Sequence, residues 1–312
     1  MIDITREHIV DAHQRIARDI RRTPLLRLDG GQLGIEGVEL WLKLEHLQVG
    51  GSFKARGMFN RMRANALPEA GVVIASGGNA GIAVACAAQS LGVRCEVFLP
   101  ETSTPAKRAK LAELGAVVTV IGASYSDALA ASLARQEASG ALLMHAYDQL
   151  DVVVGAGTLG LEVEEDTGVP DRVLVSVGGG GLIAGVAAWF GPRCKIEALE
   201  PELAPTLHRA RAVGRPVDVE VSGIAADSLG ARRIGEIAWD VTQRHVHASH
   251  LLDDAAIRAA QSTLWKELRL AVEPAAALPL AALATRTVRP RAGEKLLLVI
   301  CGANVDPATL AA

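Results

Sequence analysis

The sequence is short of several things, and each shortage removes a class of function. It has no cationic excess, since 32 lysines and arginines stand against 35 aspartates and glutamates, a formal net charge of -3 over 312 residues. Such a surface offers no broad basic stripe to displace the counterions of a phosphate backbone, so nucleic acid is not an expected partner. There are only four cysteines, Cys86, Cys95, Cys194 and Cys301, without the close pairs of a metal knot. A chain of this length needs no disulfide staples, and free thiols are expected. No apolar run approaches the roughly 20 residues that cross a bilayer. The first residues, Met1 to Glu7, lack the basic stretch and apolar run of a secretion leader. No membrane attachment and a cytoplasmic location are therefore expected. Low-complexity linkers and fixed-period repeats are also missing.

What is present is an apolar half, 50% of residues, enough to bury a large core. Short β-rich runs alternate with alanine-rich helical stretches, the pattern of strands joined by crossover helices, which predicts an α/β fold with parallel sheets. Strands are predicted over 40–44, 72–75, 94–99, 117–121, 173–177, 195–199 and 295–300. The clearest helices are predicted over 6–20, 80–91, 105–114, 126–138, 182–190 and 253–268, several opening on a Ser, Thr or Asp cap. Topology suggests a smaller inserted domain over 66–147, with 1–65 and 148–312 forming the larger one.

Three segments carry chemistry. In the first, Gly51-Ser52-Phe53-Lys54-Ala55-Arg56-Gly57, a lysine follows an aromatic residue in an apolar turn. Desolvation there would lower its pKa and make it a Schiff-base nucleophile; taken alone, such a lysine reads as a solvated surface charge. The second, Ala75-Ser76-Gly77-Gly78-Asn79-Ala80-Gly81, leads from a strand into a helix. Its N–H groups suit a carboxylate or phosphate, and Asn79 adds a directed hydrogen bond or simply caps the helix. The third follows the strand at 173–177 with Gly178-Gly179-Gly180-Gly181 and then a helix. Four glycines let the backbone approach an anion, and the helix dipole favours its charge. The same stretch can be forced onto a dinucleotide fingerprint as Gly179, Gly181 and Ala184 with Glu200 downstream, a match that ignores Lys54.

Taken in order, these motifs resemble the serine/threonine dehydratase and serine racemase family, fold-type II enzymes that use pyridoxal 5′-phosphate, and the resemblance spans nearly the whole chain. It implies two open parallel-sheet α/β domains with the active site in the cleft between them, the smaller one mobile, and a homodimer. By this resemblance Lys54 holds the cofactor as a Schiff base and Phe53 packs beside it. Asn79 bonds the phenolic oxygen, and Gly178, Gly179, Gly180 and Gly181 cradle the phosphate. Ser52 and the loop Ser76, Gly77, Gly78, Asn79 and Ala80 hold the substrate. Cys301 stands where the family places a serine or cysteine beside the pyridine nitrogen, and Glu273 matches a further position near the cofactor. A neutral thiol at Cys301 is no carboxylate partner for that nitrogen, so the ring would be a weaker electron sink, suited to expelling a β-hydroxyl. Without the resemblance, Cys301 reads as a small buried hydrophobe.

Two departures matter. Racemases of the family carry a serine where this chain has Gly77, and racemisation needs a proton donor on each face of Cα. Many relatives also build a divalent-metal site from a glutamate, a carbonyl four residues on and an aspartate six residues on. Here these are Glu200, Ala204 and Thr206, and a hydroxyl in place of the carboxylate weakens any site for Mg²⁺ or Ca²⁺. The family's regulatory C-terminal domain, and feedback control through it, are not expected here. The expectation is a dehydratase that converts L-threonine or L-serine to a 2-oxo acid and ammonia. Elimination from 3-hydroxyaspartate, racemisation, β-replacement and non-catalytic binding are the alternatives. His46, His145 and His208 read as ordinary hydrogen-bonding residues, and Arg21-Arg22 and Arg232-Arg233 as solvated or subunit-contact pairs.

Overall fold

The structure is a computed structural model and describes residues 3–310. Its strands are β1 (Leu25–Asp29), β2 (Glu39–Lys43), β3 (Val72–Ala75), β4 (Cys95–Leu99), β5 (Val117–Val120), β6 (Leu142–Leu143), β7 (Arg172–Ser176), β8 (Lys195–Pro201), β9 (Val246–Leu252) and β10 (Lys295–Val299). They form two sheets: a six-stranded one in the order β1-β2-β10-β7-β8-β9, and a four-stranded one in the order β5-β4-β3-β6. Every pairing is parallel except β1 with β2, which run antiparallel in the register Leu25 to Lys43 through Asp29 to Glu39. The larger sheet is therefore mixed, with one antiparallel edge strand that the sequence pattern did not reveal. All strands of the smaller sheet lie between Val72 and Leu143.

The helices are α1 (Arg6–Ile16), α2 (Lys54–Ala64), α3 (Asn79–Leu91), α4 (Pro105–Glu113), α5 (Tyr125–Ser139), α6 (Leu150–Thr167), α7 (Gly181–Phe190), α8 (Thr206–Val213), α9 (Glu236–His245), α10 (Asp254–Leu268) and α11 (Pro274–Ala284). Parallel strands need such crossovers, and the central strands are buried on both faces, so they read as unbroken apolar runs. Strand β7 is buried at all five positions and β10 at Leu296, Leu297, Leu298 and Val299. Helix α6 is a poor helix former in sequence, because Gly155, Gly157 and Gly160 lower its propensity. Packing requires them. A Cβ on Gly155 would lie 2.6 Å from the carbonyl oxygen of Arg56, and one on Gly160 would lie 2.8 Å from the Trp189 ring. The glycine face lets α6 press directly onto α2 and α7.

Two main apolar clusters result. One is built on the six-stranded sheet, with Trp41, Leu174, Phe190 and Leu297 among its members. The other joins α2 and α3 to the four-stranded sheet through Met58, Phe59, Met62, Ile74, Val84 and Val97. Helix α2 thus carries Lys54 at its start and belongs to the packing of the smaller sheet along its length. Among the described residues, no helix is long and apolar enough to cross a membrane. The four cysteines are free, Cys95 and Cys301 buried and Cys86 and Cys194 half-buried.

Candidate active site

Three neighbouring strands of the larger sheet, β2, β10 and β7, end on the same side, and each delivers one segment to a common cavity. Ligands of open α/β sheets bind at the carboxyl ends of the strands. Beyond β2 the chain makes two short turns through Gly50 and Gly51, both left-handed at φ 70° and 75°, and enters α2 at Lys54. Lys54 is thus the first residue of a helix, not part of an irregular turn. Beyond β10, Cys301 and Gly302 lie against this segment: the Phe53 N–H donates to the Cys301 carbonyl at 3.0 Å, and Ser52 and Gly302 form an antiparallel bridge. Beyond β7 come Gly178 to Gly181 and the start of α7. The smaller sheet contributes the end of β3, where Ser76, Gly77 and Gly78 precede α3 and Asn79 is its first residue.

Phe53, Lys54, Asn79, Gly178 to Gly181, Glu273 and Cys301 all line this cavity. The remaining expected positions do not line it. Ser52 is fully buried behind Phe53, and its hydroxyl has no partner among the described residues. Ser76, Gly77 and Gly78 are half-exposed on the adjoining loop, and Ala80 is buried inside α3. Sequence reasoning missed Tyr147, Ser228 and Leu229, which also line the cavity. Tyr147 follows His145, whose solitary position concealed its neighbourhood. His145 Nδ1 accepts from the backbone N–H groups of Tyr147 and Asp148, at 3.4 and 3.0 Å, and shapes the turn that carries Ala146.

Electrostatics distinguish the centre of this cavity. The Lys54 amine donates to the Ala146 carbonyl at 2.6 Å and stands 5.0 Å from the centre of the Phe53 ring. Burial lowers its pKa from 10.5 to about 8, against the opposing pull of Cys301 and Glu273. About a tenth of the amine is therefore unprotonated at pH 7, far more than for an ordinary lysine, as a nucleophile or base requires. Burial also pushes the Cys301 thiol well above its ordinary range, helped by Glu273, so it is a neutral thiol. The Glu273 carboxyl is raised by burial too, although hydrogen bonds from Asn79 and Ser228 hold it back.

Asn79 Nδ2 donates to both Glu273 oxygens, at 2.8 and 3.0 Å, and so links the two sheets across the cavity. A second link, at the cavity's edge, runs from Lys107 Nζ to Asp227 Oδ1 at 2.9 Å. The glycine loop is shaped by close approach. A Cβ on Gly179 would lie 2.3 Å from the Tyr147 ring, and Gly180 is left-handed at φ 87° with Ala238 and Ile234 2.5 Å from its would-be Cβ. The first-turn N–H groups of α7 have no carbonyl within their own helix to bond. They open on the cavity beside Lys54, which makes an anion cradle next to an amine.

Residues 16–302 match the family described as "Pyridoxal-phosphate dependent enzyme". The chain belongs to this family. It is 35% identical over 308 residues to an L-threonine ammonia-lyase of Geobacter sulfurreducens, covering 97% of this chain and 76% of the relative. It is 34% identical over 308 residues to a phenylserine dehydratase of Ralstonia pickettii, covering 97% and 94%. The solved structure of maize serine racemase superposes with a TM-score of 0.92 at 31% identity, covering 99% of this chain and 96% of that one. The residues fit the family's cofactor: an amine of lowered pKa for an aldehyde, a glycine cradle for a phosphate, and an uncharged thiol beside them.

The residues expected for a cation do not fit one. Glu200 is buried, and its two oxygens already accept from the N–H groups of Leu207 (2.7 Å) and His208 (2.8 Å) and from the Ser249 hydroxyl (3.0 Å). The Thr206 hydroxyl lies 3.2 Å from Glu200 and donates to the Gly178 carbonyl at 2.5 Å. The carboxylate caps α8, and the hydroxyl ties that helix to the glycine loop. A cage of hard oxygens for Mg²⁺ or Ca²⁺ would need these same atoms free.

Proposed function

We propose that this chain is an ammonia-lyase that converts small L-β-hydroxy amino acids, L-threonine or L-serine, to 2-oxobutanoate or pyruvate and ammonia. The observation that carries the reading is the Lys54 amine, brought to a pKa of about 8 beside a four-glycine anion cradle. Pyridoxal phosphate, when bound, supplies a sink for the electron pair left at Cα. Lys54 would hold the cofactor in the resting enzyme, and its free amine would accept the Cα proton, a role that its lowered pKa suits. Gly178 to Gly181 would hold the phosphate, Asn79 would donate to the phenolic oxygen, and the loop from Ser76 to Asn79, which adjoins the cavity, would take the substrate carboxylate on backbone N–H groups.

Loss of the β-hydroxyl and the Cα proton removes one water. The enamine that leaves takes a water back on hydrolysis and yields the oxo acid and ammonium, so the conversion is redox-neutral. Gly77 offers no side-chain acid on the far face of Cα, which favours elimination over racemisation. Restoring a serine there would crowd Leu99, whose Cδ2 lies 3.0 Å from the added Cβ. We further infer that residues 66–147 act as a smaller mobile domain that closes over the substrate, with Lys107 and Asp227 meeting across its edge. The hydrogen-bonded Glu200 and Thr206 support catalysis without a divalent cation.

The test is 2-oxo acid release by protein loaded with pyridoxal phosphate, with L-threonine, L-serine, D-serine and L-threo-3-hydroxyaspartate as separate substrates. Oxo acid from L-threonine or L-serine is expected. Release from hydroxyaspartate alone would move the substrate class, and inert protein that still binds the cofactor would overturn the lyase reading.

A further inference from the structure

A chain of amide groups runs along the edge of the cavity, and its direction is decided at the Gly50 end. Asn304 Nδ2 donates to the Gly50 carbonyl at 2.8 Å and to Asn79 Oδ1 at 2.7 Å. Asn79 Nδ2 in turn donates to both oxygens of Glu273. The Gly50 carbonyl only accepts hydrogen bonds, so Asn304 Nδ2 faces it and Asn79 Oδ1, and the Asn79 NH2 group is left facing Glu273. Reversing Asn304 would set its oxygen against both the Gly50 carbonyl and Asn79 Oδ1.

Asn304 is tied into the site by its backbone as well as its side chain. Its backbone N–H donates to Glu273, and the preceding Ala303 N–H donates to Gly51 at 2.9 Å. Gly51, left-handed at φ 75°, has Asn304 Oδ1 2.8 Å from its would-be Cβ, so only glycine lets the amide lie there. One residue thus ties the segment before Lys54, the residue that opens α3 and the carboxyl of Glu273, the residue that precedes α11. Glu273 cannot hold the Asn79 amide alone. Burial favours its protonated form, and a protonated carboxyl donates as readily to an amide oxygen as it accepts from an amide nitrogen. The Asn304 amide cannot reverse in this way, because the backbone carbonyl of Gly50 never donates.

We propose that Asn304 is a positioning residue that locks the Asn79 amide with its NH2 group toward the cavity, so that a donor already faces the phenolic oxygen of pyridoxal phosphate when the cofactor arrives. This inference rests on the cofactor arrangement proposed above. It predicts a loss in cofactor binding and a changed cofactor spectrum without a loss of fold, because Asn304 is exposed at the edge of the cavity and fills no core.

The experiment compares wild type with Asn304→Asp and Asn304→Ala. The aspartate is nearly isosteric but can only accept, so it draws the Asn79 NH2 away from the cavity; the alanine releases the amide altogether. Three readouts are taken: the dissociation constant of apo-protein for pyridoxal phosphate, the position of the visible band of the Lys54-linked cofactor, and the melting temperature of apo-protein. Loss of one hydrogen bond to a charged oxygen weakens cofactor binding about tenfold or more, with the aspartate the more severe variant. The visible band shifts in both variants, and apo-protein melts within about 2 °C of wild type, as an exposed substitution should. Variants that bind the cofactor with wild-type affinity and an unshifted band would overturn the role of Asn304 alone. Wild-type protein that gives no visible band would overturn the cofactor arrangement, and this inference with it.

Discussion

Lys54 and Arg56 stand two residues apart at the start of α2, and the protein treats their charges in opposite ways. Arg56 is fully buried in a closed cage. Its guanidinium meets both oxygens of Glu45 at 2.7 and 2.8 Å and both oxygens of Glu162 at 2.7 and 2.8 Å, and Lys43 adds a second cation to Glu162 at 2.7 Å. Two cations and two carboxylates cancel, and nearly every donor has its acceptor. Burial works against the charge of Arg56, but its partners outweigh it, and its pKa is raised. Burial likewise works against Glu162, and Arg56 and Lys43 hold it below the usual carboxylate range. Lys54 is the reverse case. It has a carbonyl at close range and two acids farther off, none enough to offset burial, so its pKa falls. A satisfied buried charge makes scaffold, and an unsatisfied one makes chemistry.

The contrast can be broken by exchanging the losses. Lys54→Ala is expected to reduce oxo acid release on the order of 10⁴-fold or more, since nucleophile and base go together, while the unfolding midpoint in urea holds or rises slightly. Arg56→Met should do the opposite in stability. It leaves two buried carboxylates short of a partner and costs about 3–5 kcal/mol in chemical denaturation. If both variants lost stability alike, the difference between cage and site would disappear.

The pH dependence sharpens the point. An amine reacts with an aldehyde only when unprotonated, and the lowered pKa of Lys54 places that change at about 8 instead of 10.5. The rate at which apo-protein captures pyridoxal phosphate should rise roughly tenfold per pH unit below this point and level off above it. A rise that continued to pH 10 would mean an ordinary solvated lysine. The smallest effect concerns Glu200. Burial raises its pKa to about 7, yet four hydrogen-bonding groups surround it, so it belongs with the cage and not with the site. Removing divalent cations with a chelator should change the melting temperature by less than about 1 °C, because a ligand that does not bind adds no stability. A larger fall would reveal a cation.

The sequence made the central elements legible where local chemistry and tertiary role agree. Strands β3, β7 and β10 read as apolar runs because they are buried on both faces, and the Lys54 and four-glycine motifs read as chemistry because, in order with the loop from Ser76 to Asn79, they resemble those of a known family. Elements set by packing alone were hidden. Helix α6 carries three glycines for close contact, and β1 is an antiparallel edge whose pattern is only half-buried. Tyr147 and Ser228 reach the cavity from loops, and no spacing rule connects them to Lys54. The metal positions were legible in outline, but only the structure shows Thr206 bonded to Gly178 and the Glu200 oxygens committed to α8.

The most direct test of the central claim is to reduce the cofactor-loaded protein with borohydride and locate the pyridoxyl group by peptide mass spectrometry. The account predicts a single modification, on Lys54, with oxo acid release lost in proportion to labelling. A pyridoxyl group on another lysine, or full labelling of Lys54 with activity unchanged, would contradict it.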